Sequence, residues 1–215
     1  MAQPLHIDFI ADVVCPWCYI GLRRLEQALA LCPDVAAEIL WRPYQLDPSI
    51  PEEGVDRRAY MAAKFGSDPD RRKAMLEALN AAAASVDLDL KVADIPISPN
   101  TNAAHRLIRW AQGQGLQGPM LKAILDAYFV ELKDIGDPVV LADLAEQAGM
   151  DRMTVLKLLS EGADKDAVRR EHMMAVQAGV TGVPFMIFGG KVAAVGAEDP
   201  ERLAMAIDKA LEMAA

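Results

Sequence analysis

The chain is short of cysteine, histidine and aromatic rings. Its 215 residues include three cysteines, three histidines and 6% aromatics. Three cysteines cannot make a disulfide framework, and an odd number suits a reducing compartment. A chain of this length can bury a core without staples. No apolar run reaches the roughly 18 residues of a membrane span, so no membrane partner is expected. A basic block is missing too: 22 Lys and Arg stand against 31 Asp and Glu, for a net charge of −9. The densest basic stretches, DRRAYMAAK (Asp56–Lys64) and DPDRRKAM (Asp68–Met75), have acids beside the bases. That excludes a nucleic-acid footprint. The opening MAQPLHIDFIADVV lacks a basic leader region and a small-residue cleavage site. It reads as a first strand rather than a signal peptide, and a cytoplasmic location is expected.

What is present is 53% hydrophobic and 25% charged, the profile of an ordinary helix-rich protein. LHIDFIAD (Leu5–Asp12) carries alternating and β-branched apolar residues and reads as a buried strand. A helix follows from Pro16, with Leu22, Leu25, Leu29 and Cys32 on one face. Ala36–Leu46 reads as a second strand, and Pro43 marks an edge or a strand end. The opening is therefore β-α-β, with parallel strands. DPSIPEEGV (Asp47–Val55) is a linker. Beyond it the apolar period is 3.6, which predicts helices near 56–65, 69–85, 101–114, 119–132, 138–148 and 152–161. Asp137-Pro138 is an N-cap and N1 pair, and Asp151 can cap the next helix. Asp164–Val180 forms a further helix. PFMIF and KVAAV then flank Gly189-Gly190, which reads as a tight antiparallel hairpin. A last helix opens at Asp199-Pro200.

At the first strand-to-helix junction stands VVCPWCYIG (Val13–Gly21). Cys15 falls at the helix start, where free N–H groups favour a thiolate, the nucleophilic form. Pro16 suits the first helical position because it has no N–H to lose. Cys18, one turn on, can attack a mixed disulfide on Cys15 and release the partner. A structural disulfide across so small a loop would constrain little of the unfolded chain. A metal site would need two more ligands, and no second C-x-x-C or paired-histidine motif supplies them. A C-x-x-C beside a β-α-β unit is the redox arrangement. Asp12, three residues before Cys15, reads equally as a group tuning the thiols and as a turn or capping acid. Trp17 and Tyr19 read as packing before chemistry. Cys32 and the helical methionines (Met61, Met75, Met120, Met173 and Met174), with Phe65, read as core filling. His6 and His172 read as ordinary strand and helix residues.

DVVCPWCYIG, the β-α-β / helices / α-β-β-α order and TGVPF (Thr181–Phe185) together resemble the DsbA family of thioredoxin-fold oxidoreductases, in its cytoplasmic FrnE-like branch. The resemblance spans essentially the whole chain. It implies an α/β thioredoxin-like fold with a large all-helical insertion: residues 1–52 and 163–215 form the thioredoxin-like domain, and 53–162 the insertion. It implies that Pro184 is the cis-proline facing the dithiol and that Val183 offers backbone hydrogen bonds to substrate. The residues alone read Pro184 equally as the first position of a strand. NTNAAHRLIRW (Asn100–Trp110) is similar to a stretch bordering the cleft in this branch. Asn102 and His105 are thus candidates for the substrate groove, against a reading as the polar face of a solvated helix. Pro16 and Trp17 join the substrate-binding candidates. Where the family often has Gly-Ala-Gln after the last strand, this chain has Gly196-Ala197-Glu198, which leaves substrate preference open there.

The expected function is thiol–disulfide exchange through Cys15 as nucleophile and Cys18 as resolving thiol. Substrates would be thiol- or disulfide-bearing proteins or small thiols. No bound cofactor or metal is expected, and glutathione is a candidate co-substrate. The alternative is a glutathione-dependent isomerase or transferase, related to 2-hydroxychromene-2-carboxylate isomerases or kappa-class glutathione transferases. Those relatives usually have serine in place of Cys15. A redox-sensing or holdase-like binding protein is a third class. Monomer and homodimer are both compatible with the sequence.

Overall fold

The computed structural model describes residues 4–66 and 68–214. The chain divides into two compact units. One runs up to Leu46 and resumes at Glu171; the other is Asp47–Arg170.

The first unit opens with β1 (Leu5–Ala11), α1 (Pro16–Leu31) and β2 (Ala37–Pro43). It ends with β5 (Phe185–Phe188), β6 (Val192–Val195) and α9 (Pro200–Glu212). The four strands form one sheet in the order β2-β1-β5-β6. β1 and β2 are parallel, with Phe9 opposite Trp41. β1 and β5 are antiparallel, with Ile7 opposite Phe188 and Phe9 opposite Met186. All four of Ile7, Phe9, Met186 and Phe188 are sealed from solvent. α1 buries Ile20, Leu22, Leu25 and Ala28, and α9 buries Leu203, Ile207 and Ala210 against the same layer. Each fully buried Leu, Ile or Phe contributes about 1.5–3 kcal/mol. The half-exposed Arg42–Asp8 ion pair at 2.6 Å adds at most about 1 kcal/mol. Apolar burial, not surface charge, therefore holds β1 and β2 together.

Pro43 ends β2 on the sheet's edge, where its missing N–H costs no ladder bond. β5 and β6 form the antiparallel hairpin, with Phe188 opposite Val192. The connection is three residues, Gly189 to Lys191, rather than the tight two-residue turn the Gly-Gly pair suggests. Lys191 N–H donates to Phe188 O at 3.0 Å, and both glycines have positive φ (57° and 68°).

The second unit holds α2 (Arg57–Phe65), α3 (Pro69–Ala84), α4 (Asn102–Gln112), α5 (Gln117–Phe129), α6 (Pro138–Gln147) and α7 (Arg152–Ser160). Asp56, Asp68, Asp137 and Asp151 cap their helices through the carboxylate. The unit is not all helical. β3 (Val55–Asp56) and β4 (Ile97–Ser98) pair as a two-stranded antiparallel sheet. Two-residue strands are too short to leave an alternating pattern.

The boundaries differ from the expected 52/53 and 162/163. The linker from Asp47 belongs to the helical unit, where Asn100 donates to Ile50 O and Lys165 pairs with Glu52. The second boundary falls inside α8 (Lys165–Gln177), because the helix continues through it without a break.

Candidate active site

Cys15 is the N-cap of α1, with extended backbone (φ −92°, ψ 110°) and Pro16 at the first helical position. Its carbonyl accepts from Cys18 N–H at 3.0 Å and from Tyr19 N–H at 3.4 Å, starting the helix. Its own N–H donates to Asp12 O at 3.1 Å, which closes the turn leaving β1. Both thiols are free. Cys15 is 5% exposed and Cys18 not at all, so of the two residues only Cys15 reaches solvent.

Burial pushes the Cys18 thiol well above its ordinary range. The hydrogen bond to Cys15 and the charge at Cys15 push it further the same way. A hydrogen bond from the Asp12 backbone opposes this, and the Asp12 carboxylate adds to it. Cys18 therefore holds its proton at neutral pH and needs a base to act as a nucleophile.

The chain returns to this site just before β5. The Val183–Pro184 peptide is cis. The Cys15 thiol donates to Val183 O at 3.8 Å. Pro184 is buried, and its carbonyl accepts from Gly196 N–H at 2.8 Å.

Asp12 is 1% exposed and anchored: its Oδ2 accepts from Leu46 N–H at 2.8 Å. Tyr44 N–H donates to Ala11 O and Gln45 N–H to His172 Nδ1, so three consecutive amides bind the segment after β2 to the site. His172 is thus a buried acceptor, 8% exposed and edge-on to Tyr44, rather than an ordinary helix residue. A histidine thirteen residues before β5 gives no signal of this in the sequence.

Cys15, Cys18, Asp12, Pro16, Trp17, Val183 and Pro184 all lie in the first unit. Trp17 is 40% exposed, so the packing reading holds for the buried Tyr19 but not for Trp17. Asn102 and His105 lie on α4 of the second unit. Both are buried, which rules out a solvated polar face. Asn102 Nδ2 donates to Lys165 O at 3.2 Å, while its Oδ1 is buried without a donor among the described residues. Cys32 is the half-exposed C-cap of α1, not a core residue. Met120 fills the core, but Met75, Met173 and Met174 are exposed. His6 pairs with Glu38 at the surface. Among the described residues no group of His, Cys, Asp and Glu is placed to hold a metal ion, and no helix is long and apolar enough to cross a membrane.

The chain is similar over its whole length to known proteins. A probable DsbA oxidoreductase from Streptomyces coelicolor is 30% identical, with a TM-score of 0.89 over 97% of this chain and 90% of that one. A 2-hydroxychromene-2-carboxylate isomerase shares the fold at 19% identity (TM-score 0.68; 97% and 95% covered). The cytosolic disulfide reductase DsbM from Pseudomonas aeruginosa, solved with GSH, shares it at 16% identity (TM-score 0.63; 97% of each chain). The family model described as DSBA-like thioredoxin domain matches residues 6–208, and the chain belongs to that family.

Proposed function

We propose that this chain is a cytoplasmic thiol–disulfide oxidoreductase. The observation that carries the reading is the pair of free cysteines on the first turn of α1, one reaching solvent and one sealed, beneath the Val183 carbonyl. In the reducing direction, the Cys15 thiolate attacks one sulfur of a substrate disulfide. The S–S bond breaks, one substrate thiolate leaves and takes a proton, and a Cys15 mixed disulfide forms. Cys18 then gives its proton to Asp12 and attacks the Cys15 sulfur. The second substrate thiolate leaves, so the substrate has gained two electrons and two protons and the chain holds a Cys15–Cys18 disulfide. Two molecules of glutathione, a small-thiol co-substrate, would restore the dithiol and leave as glutathione disulfide. The same steps in reverse form disulfides, and alternation of the two isomerises them.

Val183 offers main-chain groups to the substrate beside the nucleophile, with Pro16, Trp17 and Pro184 as the surrounding surface. The exposed Trp17 indole suits contact with a peptide. Asn102 and His105 are proposed as further substrate contacts on the resemblance of NTNAAHRLIRW alone.

Cys18→Ser is the discriminating variant. With a disulfide-bearing peptide it is expected to accumulate a mixed disulfide on Cys15, seen by mass spectrometry. If turnover survives without Cys18 and depends on added glutathione, the isomerase or transferase chemistry replaces this reading.

A further inference from the structure

We propose that Gly21 and Arg24 are positioning residues for this exchange. They set where the Val183–Pro184 segment stands relative to the sulfur of Cys15. The proposal rests on the oxidoreductase reading and adds two residues to it.

Gly21 lies inside α1, one turn beyond Cys18, and its φ is not positive. Alanine is the better helix former at such a position, so the backbone gives no reason for glycine. Space does. A Cβ at residue 21 would lie 2.9 Å from Pro184 Cγ, and 3.5 Å from both Pro184 Cβ and Met186 Cε. The proline ring is fused to the main chain, so beyond a change of pucker it cannot swing aside. A side chain at position 21 therefore presses on this ring and, through it, on α1 and the Val183–Pro184 backbone.

One turn further along the same helix, Arg24 Nη1 donates to Ala197 O at 2.5 Å and pairs with Asp199 Oδ1 at 3.1 Å. Ala197 follows Gly196, whose N–H donates to Pro184 O. Gly21 thus sets how closely the segment can approach α1, and Arg24 ties the loop that holds its carbonyl. At the helix's other end the Cys15 thiol meets Val183 O. One helix carries the nucleophile and also gauges the segment to which substrate would bind. A displacement of about 1 Å in such a site can cost on the order of a hundredfold in rate.

Two reactions separate positioning from general damage. Alkylation of Cys15 by iodoacetamide reads the thiol alone, whereas exchange with a disulfide-bearing peptide also reads the segment beside it. Gly21→Ala is expected to slow peptide exchange tenfold or more while alkylation changes less than twofold. Arg24→Gln is expected to show the same split at a few-fold, and serves if Gly21→Ala does not fold. In a Pro184→Ala background, Gly21→Ala should cost little more, because the ring it strikes is gone. Unchanged exchange in both variants, or exchange and alkylation falling in parallel, overturns the proposal. If the wild-type chain exchanges with no disulfide at all, the oxidoreductase reading fails instead. The gauge is then read from the amide resonances of Val183 and Gly196, which must shift in Gly21→Ala; unmoved resonances sink it.

Discussion

At the scale of single residues, the two cysteines differ because one residue reaches water and the other does not. Cys18 keeps its proton through burial and through Cys15 beside it. This has a signed consequence for stability. An unfolded thiol titrates near pH 8.5, about where Cys18 in the folded chain is still protonated. Above that pH the folded state binds more protons than the unfolded one, so stability falls as pH rises, by up to about 1.4 kcal/mol per pH unit, and is untouched below. Urea midpoints of the reduced protein should drop between pH 8 and 10, and less steeply in Cys18→Ala; parallel slopes would contradict the burial argument. Asp12 is the base in the exchange proposed above. Asp12→Asn should slow closure of the Cys15–Cys18 disulfide by about a hundredfold, the usual scale of general-base help, yet leave the first mixed disulfide to form at its normal rate. Rapid-quench trapping of the two steps reads this directly.

At the scale of elements, legibility followed the length of the pattern. β1 and α1 carry periods of 2 and 3.6 over enough residues to be read from the chain, and the hairpin strands are apolar runs set off by Gly189-Gly190. Two of the caps were legible as well, since Asp137-Pro138 and Asp151 precede apolar runs and both carboxylates accept helix amides. Asp137→Ala should therefore cost about 1 kcal/mol in urea unfolding, the ordinary loss for an N-cap. A change within error would mean that α6 is held by packing alone. Two-residue β3 and β4 left no pattern, and neither did the third loop residue, Lys191. Gly21 was visible as a letter but not as a contact, because the ring that demands it lies far along the chain.

At the scale of the whole molecule, CPWC and TGVPF are far apart in sequence, and the sheet order β2-β1-β5-β6 brings them together. β1 delivers the dithiol, and its neighbour β5 delivers Val183 and Pro184. Cys15, Cys18, Pro16, Trp17 and Asp12 could be named from the strand-to-helix junction they occupy, whereas Val183 and Pro184 were named from the resemblance to the DsbA family. The burial of Asn102, His105 and His172 could not, since it depends on partners that no local pattern announces. The most direct test of the dithiol is equilibration in glutathione redox buffers, with free thiols counted by mass after acid quench. A reversible two-electron transition that consumes Cys15 and Cys18 together is expected. Its potential should fall between about −270 and −120 mV, and the transition should vanish in Cys15→Ser and Cys18→Ser. Two thiols that stay free across the whole range, or that only ever acquire separate glutathione adducts, would contradict a working dithiol.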